Sequence, residues 1–486
     1  MNATFVMNND TDQTTSKKVG LGVKVAWGAG GLADNFIMNC ITPHILIMPI
    51  YNLVFGLDPV KIGIALSVPR FIDAITDPLM GHISDNTRCR WGRRKPYIFV
   101  SAILCAALIP LLWIPPFRTE TFLFFYLMAV ATLISLVYTA YVVPYTALGY
   151  ELTSDYDERT KVLAWRMYIG LIGSLVLPWA YRACHLSIFG GDQVKGAVAV
   201  SGVAGVLILF TGILPALVGK EEVFGQAQPK TGMVESIGAA FRNKAFRVLI
   251  VAYLVIITSL FTCANLGLYL NIYHVFAGDK AAAAAMGGLA GSILALISYI
   301  SLPLLTWISI RTSKKAAMIV GLLLAVVGTS SNWFTMTPQW PYLQLVSAII
   351  SGFGLQGCWL MVSSMTADVC DDDELQTGLR REGLFGAVMS FTLKAALAAC
   401  AVTAGAVLTL SGYDTSVANE TGRVGADVIF KMRLLLVLFQ GVPLLCAAGL
   451  FWFYPITRER AEQTRQILQL RRANAMICNG NIDEKR

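Results

Sequence analysis

In the stretch RFIDAITDPLMGHISDNTRCRWGRRKP two aspartates, Asp73 and Asp77, stand four residues apart in an apolar run that then ends in a burst of cations. That spacing puts both carboxylates on one face of a helix, one turn apart. Two ionised carboxylates at that distance repel, so something cationic should sit with them: Na⁺, H⁺ or a basic side chain. A basic side chain is available, because Lys394 in MSFTLKAALAACAV lies too deep in another apolar run for its ammonium to reach water easily. Ionisable groups of this kind cost about 2.5–3.5 kcal/mol each at a bilayer centre, and there they mark an ion or substrate path or pair with one another. The plainer alternative is that Asp73, Asp77 and Lys394 form a static ion-pair network that fixes helix packing.

The elements that must carry these groups follow from composition. The 486 residues are 56% hydrophobic and 14% charged, against about a quarter charged in soluble domains. Runs long enough to cross a bilayer, about 20 residues each, recur twelve times: 21–53, 61–85, 96–116, 121–151, 162–190, 195–218, 246–276, 282–309, 315–336, 341–367, 383–411 and 427–456. The sequence therefore predicts an all-α integral membrane protein. Its first twenty residues are polar and lack the apolar core of a signal peptide, so the first span itself is expected to direct insertion.

Lys and Arg concentrate in alternate loops, including 88–95, 242–247, 311–315, Arg380, Arg381 and the tail TRERAEQTRQILQLRR. That bias places both termini in the cytoplasm. It also accounts for most of the net charge of +8, leaving little to suggest a nucleic-acid partner. The ten cysteines sit mainly inside spans with no metal-ligand spacing, as small apolar filler does. The four histidines are scattered, and no nucleophile–base pair or phosphate-binding loop is present. An enzyme is not expected.

The longest cytoplasmic break falls mid-chain, with six spans on each side. This gives a tail at 1–20, a six-helix bundle at 21–218, a central loop at 219–245, a second bundle at 246–456 and a tail at 457–486. Two segments hint at duplication: GYELTSDYDERTKVLAWR after the fourth span and MTADVCDDDELQTGLRREG after the tenth. Each is an acidic cluster followed by arginine, in the register that parallel halves require. Gly81, Asp85 and the run RWGRRKP, with Arg93 and Arg94, lie at the cytoplasmic end of the second span. There arginines can bridge Asp85 and helix-end carbonyls and latch that side shut; ordinary positive-inside anchoring is the alternative. Asp34 and Asn35 after WGAGGLAD, Thr139, Asn265, Gln356 and Trp359 are further polar or aromatic residues inside spans. Each taken alone is more simply a packing or interhelical contact.

Three of these stretches together resemble the glycoside–pentoside–hexuronide:cation symporters of the major facilitator superfamily, the group that includes melibiose permease. FIDAITDPLMGHISDNTRCRWGRRKP is similar to the family's second-helix signature. VPYTALGYELTSDYDERT looks like its fourth-helix exit, and TADVCDDDELQTGLRREG followed by Lys394 resembles its tenth-to-eleventh segment. The resemblance covers all twelve spans and implies two pseudo-symmetric six-helix bundles. It implies that Asp73 and Asp77 bind the coupling cation, Na⁺ as the metal, with Thr139 and a nearby Lys394. It further implies substrate contacts at Trp359, by sugar stacking, and at Arg166, Asp34 and Asn35. Two departures from the family pattern mean that the resemblance does not carry galactoside specificity over: a fourth-helix sugar aspartate is Val142 here, and a first-helix one aligns with Asn35, its carboxylate displaced to Asp34.

The expected function is cation-coupled symport of a sugar or glycoside by alternating access, in a multi-pass plasma-membrane protein working as a monomer among lipids, with no resident cofactor. Na⁺ is favoured over H⁺ because two carboxylates and a hydroxyl are hard oxygen ligands, although Lys394 on the same carboxylates would suit protonation. Two alternatives stand: a carrier of lysolipid or another amphiphile, since the sodium-dependent lysophosphatidylcholine symporter has a similar fold and acidic pair, and a membrane sensor without turnover. Asn419 opens the triplet NET, a possible glycosylation acceptor.

Overall fold

The computed structural model describes residues 19–153, 156–218, 238, 241–378, 382–415, 417–418 and 423–483. The triplet at Asn419, Arg380 and Arg381 lie outside the described residues, as do nearly all of the N-terminal tail and central loop. Every regular element among the described residues is helical. The spans are α1 (Leu21–Cys40, continued by Met48–Leu53), α2 (Pro59–Asn86), α3 (Lys95–Leu108), α4 (Glu120–Glu151), α5 (Tyr156–Val176) and α6 (Gln193–Val218). They continue as α7 (Lys244–Thr262, then Ala264–Leu270), α8 (Lys280–Arg311), α9 (Lys314–Thr335), α10 (Gln344–Thr377), α11 (Glu382–Leu410) and α12 (Ala426–Trp452). A final helix, α13 (Arg458–Asp483), follows the last span.

Ten of these helices are long and apolar enough to cross a membrane, eleven when the bent α1 counts as one. The remaining span, α2, has 28 residues, a length of about 42 Å. It misses the apolar criterion because Arg70, Asp73 and Asp77 lie in its middle. The second span is thus set apart from the others by the charges it carries.

The helices pair in a repeated pattern. In the first half α1 packs on α5 and α6, α2 on α4, and α3 on α4 and α6. In the second, α7 packs on α11 and α12, α8 on α10, and α9 on α10 and α12. Shifting every helix by six turns one set into the other. The contacts between halves, α2 on α11 and α5 on α8, exchange under the same operation. Local sequence repeats too: Asp58 caps the start of α2 by accepting from the Val60 and Lys61 amides, and Asp279 caps α8 by accepting from those of Ala281 and Ala282.

The first helix of each half carries a π turn, Pro43–Ile47 before the last segment of α1 and Asn271–Val275 at the end of α7. In α1 this turn accompanies a bend of 48°, as wide turns inside a helix do.

The halves meet on the side opposite the ends of the chain. There Gly63 of α2 faces the Ala401 carbonyl of α11, and Gly405 of α11 faces that of Pro59, each so closely that a methyl group would overlap the carbonyl. Polar bridges lie at the same level. Asn52 Nδ2 donates to Thr415 Oγ1 at 2.9 Å, Tyr269 donates to Asn52 Oδ1 at 2.6 Å, and Trp179 Nε1 donates to Ser292 Oγ at 2.9 Å.

Candidate functional site

Helix α2 presents Arg70, Asp73 and Asp77 along one side, facing α4. Asp73 is almost fully buried. Its Oδ1 accepts from Ser135 Oγ at 2.6 Å and from Thr139 Oγ1 at 3.4 Å, and Arg70 Nη1 lies 3.7 Å from its Oδ2. Thr139 Oγ1 also lies 3.1 Å from Asp77 Oδ1. Ser135 and Thr139 are one turn apart on α4, matching the one-turn spacing of the carboxylates. From the other half, Lys394 of α11 pairs with Asp77 Oδ2, an ion pair that joins the two halves.

The structure thus brings together Asp73, Asp77, Thr139 and Lys394, and adds Arg70 and Ser135. Two carboxylates face two cations, so the cluster balances its charge without any bound ion. Burying charge in this way is tolerable because each group is paired. Four hard oxygen donors, two carboxylate and two hydroxyl, converge between α2 and α4. Among the described residues no group of three or more His, Cys, Asp or Glu could hold a metal ion. Carboxylate and hydroxyl oxygens are hard donors, a chemistry that suits hard cations rather than transition metals.

A second charged pair lies on the adjacent face of α4. Asp34 of α1 accepts from Arg166 of α5 at 2.8 Å and from Tyr138 of α4 at 2.7 Å. Tyr138 and Thr139 are neighbours in sequence, so a single turn of α4 serves both carboxylate sites. The register of α1 on α4 is fixed by a buried aromatic stack: Trp27 lies over Tyr145 with centroids 5.2 Å apart, and Tyr145 over Tyr141 at 5.5 Å. Trp27 Nε1 donates to the Tyr145 carbonyl, while Tyr145 and Tyr141 donate to the carbonyls of Trp27 and Gly30. The Arg166 guanidinium sits 5.2 Å from the Tyr145 ring centre, within cation–π range.

Asn35 turns away from the Asp34 pair toward Ser174 of α5 and lines a cavity of about 550 Å³ between the halves, walled by α1, α5, α7 and α8. Trp359 of α10 is 36% exposed and packs edge-on against Tyr253 of α7, with centroids 5.9 Å apart. It does not line that cavity.

The basic loop after α2 is tied within the first half. Arg94 reaches Asp85 at 2.6 Å and Glu151 at 2.8 Å, and Arg93 reaches Glu151 at 2.6 Å. This cluster fastens α2, the loop and the end of α4 to one another. A methyl carbon at Gly81 would meet only Val143, at an ordinary distance of 3.8 Å. The second half repeats the arrangement: Lys314, the first residue of α9, pairs with Asp368 on α10 at 2.6 Å. Glu151 and Asp368 occupy matching places in the two acidic segments that hinted at duplication. The acidic end of α10 is held further by α13, through Arg460 to Asp372 at 2.8 Å and Arg465 to Asp368 at 2.7 Å.

With this geometry in place, similarity to known proteins decides the family. The sequence profile described as "MFS/sugar transport protein" matches residues 26–458. The chain belongs to that family. It is a multi-pass membrane transporter of the major facilitator fold, not an enzyme. Among its relatives are the inner membrane symporter YicJ of Escherichia coli, 27% identical over 87% of this chain and 88% of that protein, and the isoprimeverose transporter of Lactiplantibacillus pentosus, 24% identical over 88% of each. Its fold is also that of a bacterial homologue of the human lysosomal transporter Spinster, solved in an inward-facing and unoccupied conformation. That structure has a TM-score of 0.64 and 15% identity, covering 91% of this chain and 96% of the other.

Proposed function

We propose that this transporter carries a sugar or glycoside into the cell, driven by a cation that binds at Asp73 and Asp77, with Na⁺ preferred over H⁺. The observation that carries the reading is the run of oxygen contacts from Ser135 through Asp73 and Thr139 to Asp77, where Lys394, from the other half, pairs with Asp77. A cation taking its place among those oxygens competes with the Lys394 ammonium for Asp77. Occupancy of the site and the hold of one half on the other are therefore coupled. By linkage, substrate raises cation affinity by the same factor as cation raises substrate affinity, a coupling of about 1–3 kcal/mol.

Supporting the sugar reading are the family and a relative that carries isoprimeverose. An amphiphile is the second reading. It is favoured by an apolar groove of about 330 Å³ between α1, α5 and α6 that shares Asn39, Ile45 and Leu177 with the polar cavity. We assign both termini to the cytoplasm from the distribution of basic loops.

The test is uptake of labelled mono- and oligosaccharides and a lysolipid into proteoliposomes under a Na⁺, Li⁺ or proton gradient, for wild type and Asp77→Asn. Sodium-stimulated sugar uptake that the substitution abolishes is the expected result. Uptake driven by protons alone would reassign the cation, and flux indifferent to Asp77 would make the carboxylate pair structural.

A further inference from the structure

A pocket of about 230 Å³ lies at the foot of the second half, between the end of α8, the start of α9, Asp368 of α10 and the start of α13. Four cations line it, Lys314, Lys315, Arg458 and Arg465, against two carboxylates, Asp368 and Glu462. Asp368 is shared by Lys314 at 2.6 Å and Arg465 at 2.7 Å, and Asp371 lies 3.6 Å from Arg465 as well. The other two cations are less fully matched. Lys315 Nζ donates to the Trp452 carbonyl at 2.7 Å and has no carboxylate partner among the described residues. Arg458 Nε meets Glu462 at 2.8 Å in an exposed pair, and its Nη1 donates to the Ile310 carbonyl at 2.6 Å. Exposed pairs of this kind contribute little, so an incoming anion can compete for Arg458. Helices α9 and α13, of 22 and 26 residues, both begin at the pocket, which adds the positive ends of two helix dipoles to the surplus of cations.

Which anion the pocket takes follows from where it lies along the spans. On α8, Ile300, Leu304 and Trp307 form an exposed apolar face, at intervals of three or four residues, that leads to Ile310 at the pocket. Trp452 and Phe453 are exposed where α12 ends, and the Arg311 guanidinium sits 5.4 Å from the Trp307 ring centre. Tryptophans at span ends beside basic residues mark the headgroup layer of a bilayer. The pocket has room for about seven water molecules at roughly 30 Å³ each. It can therefore hold a phosphate group while acyl chains stay on the apolar face of α8.

We propose that this pocket binds the headgroup phosphate of an anionic phospholipid, held by Lys315 and Arg458, with the acyl chains along the exposed face of α8. Lys315 lies in the first turn of α9 and Arg458 opens α13, so one phosphate bridges the second bundle and the helix that follows it. The lipid adds to the Arg460–Asp372 and Arg465–Asp368 pairs that already hold α13 on α10. Glu462 competes with the phosphate for Arg458. The site is separate from Asp73, Asp77 and the cavity between the halves, and it does not depend on what the transporter carries.

The experiment follows the unfolding temperature of the purified full-length protein in an uncharged detergent as lipid is added. The probes are dioctanoyl phosphatidylglycerol, dioctanoyl phosphatidylcholine as the zwitterionic match, and glycerol 1-phosphate as a phosphate ester without chains. Phosphatidylglycerol should raise the unfolding temperature, half-saturating at least about fivefold below phosphatidylcholine, the scale for one cation near an anionic lipid. Lys315→Gln and Arg458→Gln should each weaken it about fivefold, and together on the order of thirtyfold. Glu462→Gln should tighten it by up to about fivefold, a gain that damaged folding does not produce. Lys61→Gln makes the same change of charge at the exposed Glu120 pair on the other side of the molecule and should leave the affinity as it is. Equal effects of the two lipids, or variants at Lys315, Arg458 and Glu462 that all bind like wild type, would overturn the proposal. So would a loss at Lys61→Gln equal to that at Lys315→Gln, which would reduce the effect to net charge. Glycerol 1-phosphate as potent as phosphatidylglycerol would show that the pocket takes a free phosphate ester and would overturn the assignment to lipid.

Discussion

Ser135 donates to Asp73 at 2.6 Å from a fully buried position, and a hydrogen bond to a charged acceptor is worth about 1.5–3 kcal/mol. Ser135→Ala should therefore weaken the coupling cation about tenfold or more while leaving sugar binding measurable at saturating cation. Titrating cation-stimulated sugar binding checks this, and an unchanged cation midpoint would reduce Ser135 to a packing contact. Sequence alone did not single out this residue, because a lone serine in an apolar span usually bonds back to its own helix. The signal was there in combination: Ser135 precedes Thr139 by one turn, the same interval that separates Asp73 from Asp77. Arg70 was legible in the same way, three residues before Asp73 in the stretch that carried the argument. Glu151, inside the acidic segment after the fourth span, is not legible as a partner, because nothing in one dimension says that Arg93 and Arg94 fold back to it. The paired carboxylates and Lys394 were legible because charge is so costly in apolar runs that its position alone is informative. Trp359 and the cavity amides carry no such cost, so only the folded structure separates them.

Among the helices, α1 and α5 are tied where both begin. Lys24 lies 2.7 Å and Lys161 2.9 Å from the buried carboxylate of Glu158. The hydrogen bond from Lys24 first, and then that from Lys161, hold the Glu158 carboxyl down at about 2, against an ordinary value of 4.5. An unfolded chain would bind the proton near the ordinary value. The contact's stabilisation is thus complete above that value and is lost as pH falls through the interval down to about 2. Glu158→Gln should lower the unfolding temperature at neutral pH, with the difference from wild type shrinking as pH approaches the lower limit. Thermal unfolding across that range in detergent measures it; a pH-independent difference would assign the effect to packing.

At this scale the existence of twelve spans was readable from apolar run lengths. The two π turns were not, and neither was the extension of α10 to Thr377, past the expected end at residue 367. The extension keeps Asp368 and Asp371–Asp373 helical because Lys314, Arg460 and Arg465 neutralise part of that acidic turn. Those partners come from α13 and the start of α9, too far along the chain for local pattern to reveal.

For the whole molecule, the shift-by-six repeat in helix pairing means that α2 on α11 and α5 on α8 form two equivalent seams, both tightest on the side opposite the termini. In the transport cycle proposed above, alternating access requires those seams to part. Their tightness rests on glycine: with no side chain, Gly63 lets α2 approach the Ala401 carbonyl, and Gly405 lets α11 approach that of Pro59. The obstacle any side chain would meet there is backbone, which cannot turn aside. Gly63→Leu should therefore penalise the present conformation by about 1–3 kcal/mol, the usual cost of overpacking, without touching Asp73 or Asp77. That penalty shifts the balance between the two conformations about 5- to 150-fold toward the one open on this side. The readout is modification by a membrane-impermeant thiol reagent at a cysteine placed at Asn52, a residue that bridges the halves at this level. Modification should be slow with Gly63 and fast with leucine, in both cases on the same Asn52→Cys background. Equal rates with glycine and leucine would mean that the α2–α11 seam is not where the halves separate.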